Sequence, residues 1–441
     1  MADVRPFRAV TYARTGDVTP LTAPPYDVIT PALREELLSR DPRNVVALEL
    51  PEGPLDPEAP GNRYARGAAR WREWLEGGVL AEDASPAVYV LEQRFDRDGH
   101  EVRRRGLVAA VALEPFEAGV ILPHERTLPK ALSDRLELLR ATRANLSSVF
   151  GLYHDPAGVM DAVIDAAQNG ETLLTATDED GVTSRAWAMR EPEDLRALAA
   201  AFAGERVFIA DGHHRYTVAL AYRDERRAEQ PQRPGPRLPG PGRGRTDEPD
   251  APRYDFVMMT LTNMEDPGLA VLPTHRVADA AGRFDPAAFR ASLEESFEVT
   301  EAPEDRAADA LLTAERPAFL LKARGDERVR LAVAREGWAD SMTGSRSHAW
   351  KTLDVAVLQE LVLDPLLGIH PDRPETLDRL EFAKDADEAL QAAAVHDVAF
   401  LLRPIPMEQM RRVALAGETM PQKSTYFHPK LRSGLLFRRA D

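Results

Sequence analysis

The sequence predicts a mixed α/β (α+β) protein with two or more subregions, and three observations carry that expectation. Short runs of β-branched and aromatic residues alternate with longer stretches whose apolar residues recur at helical spacing. At 441 residues the chain exceeds what a single hydrophobic core ordinarily serves. One stretch, EQPQRPGPRLPGPGRGRTDEPDAPR, breaks the alternation with dense proline and glycine and no apolar period.

The elements follow in order. AVTYA and VVALEL read as strands, and PALREELLSR as a helix with proline in its first turn. RYARGAARWREWLEGG reads as a helix stopped by Gly77-Gly78. AVYVLEQRF and RRGLVAAVAL read as neighbouring strands joined through an Asp-Gly turn. SDRLELLRATRANL is a helical pattern and SVFGLYHD a strand, which completes an N-terminal α/β region over residues 1–155.

Residues 156–226 read as a further α/β unit: AGVMDAVIDAAQ helix, SRAWAMR strand, PEDLRALAAAFAG helix, RVFIA strand, then a helix. Residues 227–253 form the Pro/Gly-rich insert, expected to be disordered. Residues 254–441 are a C-terminal α/β region opening on the strand YDFVMMTLTNM. Within it, RFDPAAFRASLEESF and LDVAVLQELVLDPLLG read as helices, AFLLKAR and RVRLAVA as strands. Strand order is beyond sequence reasoning.

Composition bounds the function. Hydrophobic residues at 44% and charged residues at 29% suit a soluble globular protein, and no apolar run has the length of a membrane span. With no cysteine there is no disulfide, no cysteine-based metal site and no thiol nucleophile, which fits a cytoplasmic expectation. The net charge of -16 argues against a broad nucleic-acid footprint while leaving room for a local basic pocket that takes a small phosphorylated ligand. Oligomeric state is not readable.

The chemistry concentrates in IADGHHRYTVAL. RVFIA is apolar enough for a central strand, and the residues after it carry Val218, Ala221 and Tyr222 at helical spacing. Asp211-Gly212 supplies the turn, glycine being free to take a conformation that other residues resist. His213, His214 and Arg215 then fall at a helix N-terminus, whose outward N–H groups already favour anions. Arg215 can bind a phosphate or carboxylate bidentately. Asp211 is placed to orient a histidine or to help hold a metal ion. Adjacent histidines need not face the same way, so one is expected to bind while the other packs. A plain turn, with Asp211 as cap and Arg215 in a surface ion pair, would account for the same residues.

IADGHHRYTVAL resembles the signature of the bacterial and archaeal family known as domain of unknown function 1015. The resemblance extends to PFRAVTYA, APPYDVIT, PHERTL, DRLELLRATRANLSSVFGLY, LPTHRV and MPQKSTYFHPK, nearly the whole chain apart from the insert. The Gly-His-His-Arg element is also similar to the phosphate-binding motif of the ParB and sulfiredoxin-like superfamily. Its members include nucleotide-hydrolysing partition proteins and an ADP-dependent free-serine kinase. That similarity implies that Gly212, His213, His214 and Arg215 cradle nucleotide phosphates.

Other clusters could join such a site. PHERTLPKALSDRLELLRATRANLS carries His124, Glu125, Lys130 and Arg135, and phosphoryl transfer needs cations for the phosphoryl oxygens and a carboxylate for a hydroxyl proton or Mg²⁺. A solvated, salt-bridged helix face explains them equally. APPYDVIT holds Tyr26 and Asp27 after a rigid Pro-Pro pair. LPTHRV sets His275 and Arg276 after a strand and a proline, and MPQKSTYFHPK groups Lys423, Ser424 and Thr425 without a Walker-type loop. No HExxH pair or G-x-S-x-G elbow occurs, so no metal ligands are assigned. Magnesium carried by ATP, ADP or CTP needs only one or two carboxylates and is compatible.

Three functions fit. The first is a nucleotide-dependent kinase acting on a small hydroxyl metabolite such as serine. Its phosphates would lie on Gly212, His213, His214, Arg215, Arg276, Lys423 and Ser424, with Glu125, Asp27 or His213 as the catalytic group. Asp211, His124, Lys130, Arg135 and His275 would support it. The second is a phosphatase or nucleotide hydrolase. The third is a nucleotide-gated binding protein of the ParB type.

Overall fold

The structure, a computed structural model, describes residues 1–13, 16–97, 99–125, 129–229, 251–302, 306–342 and 344–441. It is mixed α/β and divides into two compact units. The first holds Met1–Pro123, Thr127–Ala270 and Pro429–Asp441; the second holds His124–Arg126 and Val271–His428.

The first unit is organised by a sheet. In chain order its strands are β1 (Val4–Arg5), β2 (Gly16–Asp17), β3 (Val88–Arg97), β4 (His100–Ala112), β5 (Ile121–Leu122), β6 (Val149–Tyr153), β7 (Leu174–Thr177), β8 (Thr183–Met189), β9 (Val207–Asp211) and β10 (Phe256–Asn263). The spatial order is β2-β7-β8-β3-β4-β10-β6-β9-β5, and β1 pairs with β4 beyond the end of β3. The expected hairpin is β3–β4, antiparallel from Tyr89 opposite Val108 to Arg97 opposite His100. β10 runs parallel to β6 and antiparallel to β4, which makes the sheet mixed.

The core on this sheet includes Val90, Leu107, Val149, Val207, Ile209 and Met259, all fully buried. Continuous burial along β6 and β10 explains why those segments read as unbroken apolar runs rather than alternating ones. Phe202, from the helix Pro192–Phe202, meets Tyr153 edge to face with centroids 4.9 Å apart.

Seven helices of this unit carry the numbering used below: α1 (Pro31–Arg40), α2 (Val46–Glu49), α3 (Arg63–Glu76), α4 (Pro129–Thr142), α5 (Asp161–Gln168), α6 (Pro192–Phe202) and α7 (His213–Glu229). Thr30 and Asn62 cap α1 and α3 by accepting from the N–H groups of Leu33 and Ala65. VVALEL, expected as a strand, is instead the short helix α2. All of Asn44–Glu49 is buried, so the run has no period to distinguish helix from strand. The Asn44 side chain decides the matter: its oxygen accepts the Val46 N–H at 3.0 Å while its amide donates to the carbonyls of Pro20 and Thr22. α7 extends to Glu229, into the start of the expected insert; positions 230–250 of that insert lie outside the described residues.

The second unit has its own six-stranded sheet, antiparallel throughout. Its strands are β11 (His275–Ala278), β12 (Phe297–Glu301), β13 (Ala318–Ala323), β14 (Arg330–Ala334), β15 (Leu380–Ala383) and β16 (Val398–Leu401), in the order β12-β14-β13-β16-β11-β15. Val277, Ala318, Leu320, Ala399 and Leu401 form its core. The stretch expected as one helix from Leu353 becomes an α segment, Asp354–Leu358, that widens into a π-helical turn over Gln359–Leu363. No helix among the described residues is long and apolar enough to cross a membrane.

Gly268 tests the fit of the first sheet's periphery. A Cβ there would stand 2.1 Å from the Arg103 carbonyl oxygen on β4, and backbone cannot yield as a flexible side chain could. Gly268→Ala is expected to lower stability by about 1–3 kcal/mol, read as a shift of the urea midpoint. An unchanged midpoint would contradict this close approach.

Candidate functional site

The turn that links β9 to α7 is built from three local features. β9 pairs with β6 in register at Phe208 and Ile209, then slips by one residue before Asp211, a bulge that re-aims the strand end. Gly212 follows with φ +88°, a conformation that costs a residue with a side chain about 1–3 kcal/mol. The first residue of α7 is therefore His213, and the Gly212 carbonyl accepts the Tyr216 N–H at 3.0 Å.

α7 is held from two sides. Tyr216 is buried, stacks on Phe116, donates its hydroxyl hydrogen to the Glu114 carbonyl at 2.8 Å and accepts the Glu114 N–H at 3.0 Å. Val218 and Tyr222 pack with Leu139 of α4, and Arg140 of α4 reaches Glu225 of α7. His213 lies on the inward face and is buried; His214 is half-buried. The two adjacent histidines differ in burial.

Asp211 is the electrostatic centre of the turn. One carboxylate oxygen accepts the Gly212 N–H at 2.8 Å; the other meets Lys430 Nζ at 3.2 Å and Arg215 at 3.8 Å. Burial pushes the Asp211 carboxyl up, but Lys430, Arg215 and the Gly212 N–H outweigh it and hold the group at about 2. Lys430 is placed by a buried clamp: Gln93 donates to its carbonyl, and Arg104 donates to the preceding carbonyl of Pro429 while lying over the Phe150 ring. Arg104 is fully buried, and burial draws its pKa down to about 9 against the pull of Asp266 and Asp211.

Beside the helix start lies a recess with an empty volume of about 460 Å³. Tyr26, Glu49, Arg135, Asn145, Ser147 and Arg215 supply its polar lining, and Leu138, Leu146 and Val218 part of its apolar wall. Arg215 donates to the Ser148 carbonyl. The Arg135 guanidinium lies 4.4 Å over the Tyr26 ring and donates to the Glu49 carbonyl at 3.0 Å and to Asp134 at 2.9 Å. Tyr26 and Asp27 sit on a 3-10 turn that begins after Pro25. Burial holds the Tyr26 hydroxyl above its usual range, with Arg215 and Arg135 pulling the other way. The charge of Asp27 reaches His214.

The second unit gathers the remaining residues. Glu125 accepts the Ser424 N–H at 3.2 Å and lies 3.8 Å from His124, whose Nε2 is 3.0 Å from the Thr425 hydroxyl. Arg276 is buried on β11 and donates to the carbonyls of Thr274, Gln422 and Lys423, and its guanidinium lies over the Phe382 ring at 5.3 Å. Burial lowers Arg276 to about 10, with Glu125 opposing. Lys423 has φ +51° and places Nζ 4.8 Å from the same Phe382 ring. His275 accepts the Leu402 N–H through Nδ1 at 3.2 Å; burial, assisted by Arg276, takes it down to about 4.

The structure thus sorts the sequence-predicted residues into two groups. Asp27, Arg135, Asp211, Gly212, His213, His214 and Arg215 belong to the first unit; His124, Glu125, His275, Arg276, Lys423 and Ser424 belong to the second. Lys130 falls in α4, but its side chain lies outside the described residues. Lys430, Arg104 and Ser148 are the site residues that sequence reasoning missed. Lys430 ends a motif already singled out, MPQKSTYFHPK, and Ser148 lies within another, DRLELLRATRANLSSVFGLY; nothing local marks Arg104. Among the described residues, no group of three or more His, Asp or Glu side chains is arranged to hold a metal ion.

The model of a protein family of unknown function, DUF1015, matches residues 4–356, well over half of the chain, so the chain belongs to that family. A comparison with curated proteins finds no match. Among solved structures the chain is similar to a free serine kinase in complex with AMP, at 14% identity over 73% of this chain and 86% of that one, with a TM-score of 0.34. It is similar also to a conserved hypothetical protein from Pyrococcus furiosus, at 13% identity over 74% and 92%, TM-score 0.33. SbnI from Staphylococcus aureus with a C-terminal truncation matches at 11% identity over 74% and 84%, TM-score 0.34. Superposition at that level bears on neither ligand nor reaction.

The Asp211 carboxylate makes a prediction about acid stability. Its folded pKa lies below the unfolded value of 3.8, so its contribution is present above pH 4 and is lost as pH falls through about 2. Asp211→Asn removes that contribution at neutral pH and flattens the stability profile between about pH 4 and pH 2. Urea denaturation at a series of pH values reads both effects. A variant profile parallel to wild type would mean that the pairing with Lys430 and Arg215 is not what holds the group.

Proposed function

We propose that this DUF1015 protein binds the phosphate groups of a nucleotide or phosphorylated metabolite at the start of α7 and transfers a phosphoryl group to a small hydroxyl substrate. The observation that carries the reading is the Gly212 turn, whose positive φ precedes the start of α7, together with Arg215 of its first turn, which lines the recess. Helix N–H groups and a guanidinium are the donors that a phosphate needs.

The recess supports a ligand larger than phosphate alone. Leu138, Leu146 and Val218 offer an apolar wall against which a flat base can lie. Arg135 is spoken for by Glu49 and Asp134, so its part is to stiffen Tyr26 rather than to take a phosphate.

Asp27 is exposed, adjoins Tyr26 and acts electrostatically on His214, so it is the carboxylate suited to receive the proton of an attacking hydroxyl. In the transfer, the substrate oxygen bonds to phosphorus as the bond to the leaving phosphate oxygen breaks, and the hydroxyl proton passes to Asp27. Arg215 and the helix N–H groups neutralise charge on the phosphoryl oxygens.

Calorimetric titration with ADP and ATP is expected to show binding that weakens about 10- to 100-fold in Arg215→Ala, the range of a charge-assisted hydrogen bond. Asp27→Asn should bind the nucleotide with little change while losing phosphorylated product by about 100-fold or more. Equal turnover in Arg215→Ala would refute the site. Release of inorganic phosphate without any acceptor would redirect the reading to hydrolysis.

His214 supplies a pH test. Burial lowers its pKa from 6.5, with Asp27 opposing and Arg215 assisting, so the free protein carries it neutral at pH 7. A phosphate brings the missing counter-charge and raises it, so binding takes up a proton and affinity increases as pH falls toward the lowered pKa of the free protein. Titrations in buffers of different ionisation enthalpy detect the uptake; His214→Ala should abolish it.

A further inference from the structure

A second recess in the first unit is lined by guanidinium groups rather than by a helix start. Arg5, Arg8, Arg253, Arg438 and Arg439 line an empty volume of about 920 Å³, floored in part by Phe256. Five cations converge there in a chain whose net charge is -16, so the composition of the whole does not account for them.

The carboxylates at hand cover only part of that charge. Asp3 pairs with Arg5 at 2.6 Å. Glu82 meets Arg253 at 3.0 Å and Arg439 at 3.8 Å, and Asp441 meets Arg439 at 2.7 Å and Arg253 at 4.0 Å. Three carboxylates thus serve Arg5, Arg253 and Arg439. Arg438 and Arg8 have no carboxylate within ion-pair distance among the described residues.

Arg438 is the more telling of the two. It is buried, and its guanidinium donates only to neutral acceptors: the Phe256 carbonyl at 3.0 Å, the Arg253 carbonyl at 2.7 Å and the Asn145 side chain at 3.4 Å. Burial, with the charge of Arg253, draws its pKa down to about 9, and Asp441 recovers only part. A buried cation left short of counter-charge favours an anion nearby. Arg8 stands exposed at the same recess, and Arg5 lies flat over the Phe256 ring at 4.8 Å, holding its fork in place.

We propose that this arginine-lined recess is a second anion site, distinct from the one at α7, that takes a compact polyanion bearing several phosphate or carboxylate groups. Several charges are required because the guanidinium groups are spread over three chain segments, and one anionic group cannot meet them all. A solvated patch of surface ion pairs would leave none of them buried, whereas Arg438 is.

The test uses the full chain, with inorganic tripolyphosphate and citrate as separate calorimetric probes at about 150 mM salt. Arg215→Ala protein is titrated first, so that the outcome does not depend on the α7 site. It is expected to bind one equivalent of at least one probe. The probe that binds identifies phosphate or carboxylate as the recognised group. Adding Arg8→Ala and Arg439→Ala should weaken that event at least about tenfold. Arg8→Glu alone, at an exposed position that does not endanger folding, should weaken it as well. Binding of neither probe to Arg215→Ala protein overturns the proposal. So does binding that Arg8→Glu leaves unchanged, or binding lost at this ionic strength.

Discussion

The carboxylate of Asp211 ends a buried strand and has to be neutralised where it stands. Burial alone would raise its pKa; Lys430, Arg215 and one backbone N–H outweigh that and leave it charged. Each of those partners is placed by something else. The N–H belongs to Gly212, whose backbone turn exists because the residue lacks a side chain. Lys430 arrives on a segment gripped by Gln93 and the buried Arg104. Arg215 lies one turn into α7, which Tyr216 fastens to Glu114 by two hydrogen bonds. Asp211 is shared between Lys430 and Arg215, and Arg215 also donates to the Ser148 carbonyl. The separation of 3.8 Å between Asp211 and Arg215 leaves Arg215 partly uncommitted, and an uncommitted guanidinium is what a ligand can use.

How much of this could be read in advance follows from range along the chain. The turn was legible because strand, Asp-Gly, donors and helix are consecutive, so local propensity and local chemistry agree. The β3–β4 hairpin was legible for the same reason. α2 was not: residues 45–49 are buried throughout, the polar Glu49 included, and periodicity carries no information where burial does not alternate. What specifies the helix there is Asn44, whose carbonyl partners at Pro20 and Thr22 are more than twenty positions away. The same limit hid Lys430 and Arg104, since their meeting with the turn depends on sheet order. Tyr26 and Arg135 were each noticed, but no spacing rule announces that one ring lies under the other guanidinium.

Chemically similar residues were pooled by sequence reasoning, and hydrogen bonding separates them. In the second unit Arg276 spends its donors on three carbonyls, and Glu125 receives the Ser424 N–H. Those bonds pin the Gln422–Ser424 backbone, including the positive φ of Lys423, and His275 is held neutral by burial with its Nδ1 taken. Arg276 is thereby a strut for that backbone. In the first unit, Arg215 combines one carbonyl partner with a long contact to Asp211, which is the more open of the two arrangements.

Net charge and ligand charge are separate questions in this protein. At -16 the mean field repels anions over the whole surface, yet screening confines that field to about 8–10 Å in physiological salt. Inside that distance a recess is governed by its own walls. Arginine suits such walls because it keeps its charge under burial that would neutralise a lysine: Arg104, Arg276 and Arg438 are all fully enclosed and still titrate near 9 or 10. Placing cations in low-dielectric pockets while the exterior stays acidic sharpens selection. A diffuse polyanion such as nucleic acid meets the repulsive surface along its whole length. A compact one needs to pass that surface only once and then finds a dense, preorganised set of donors.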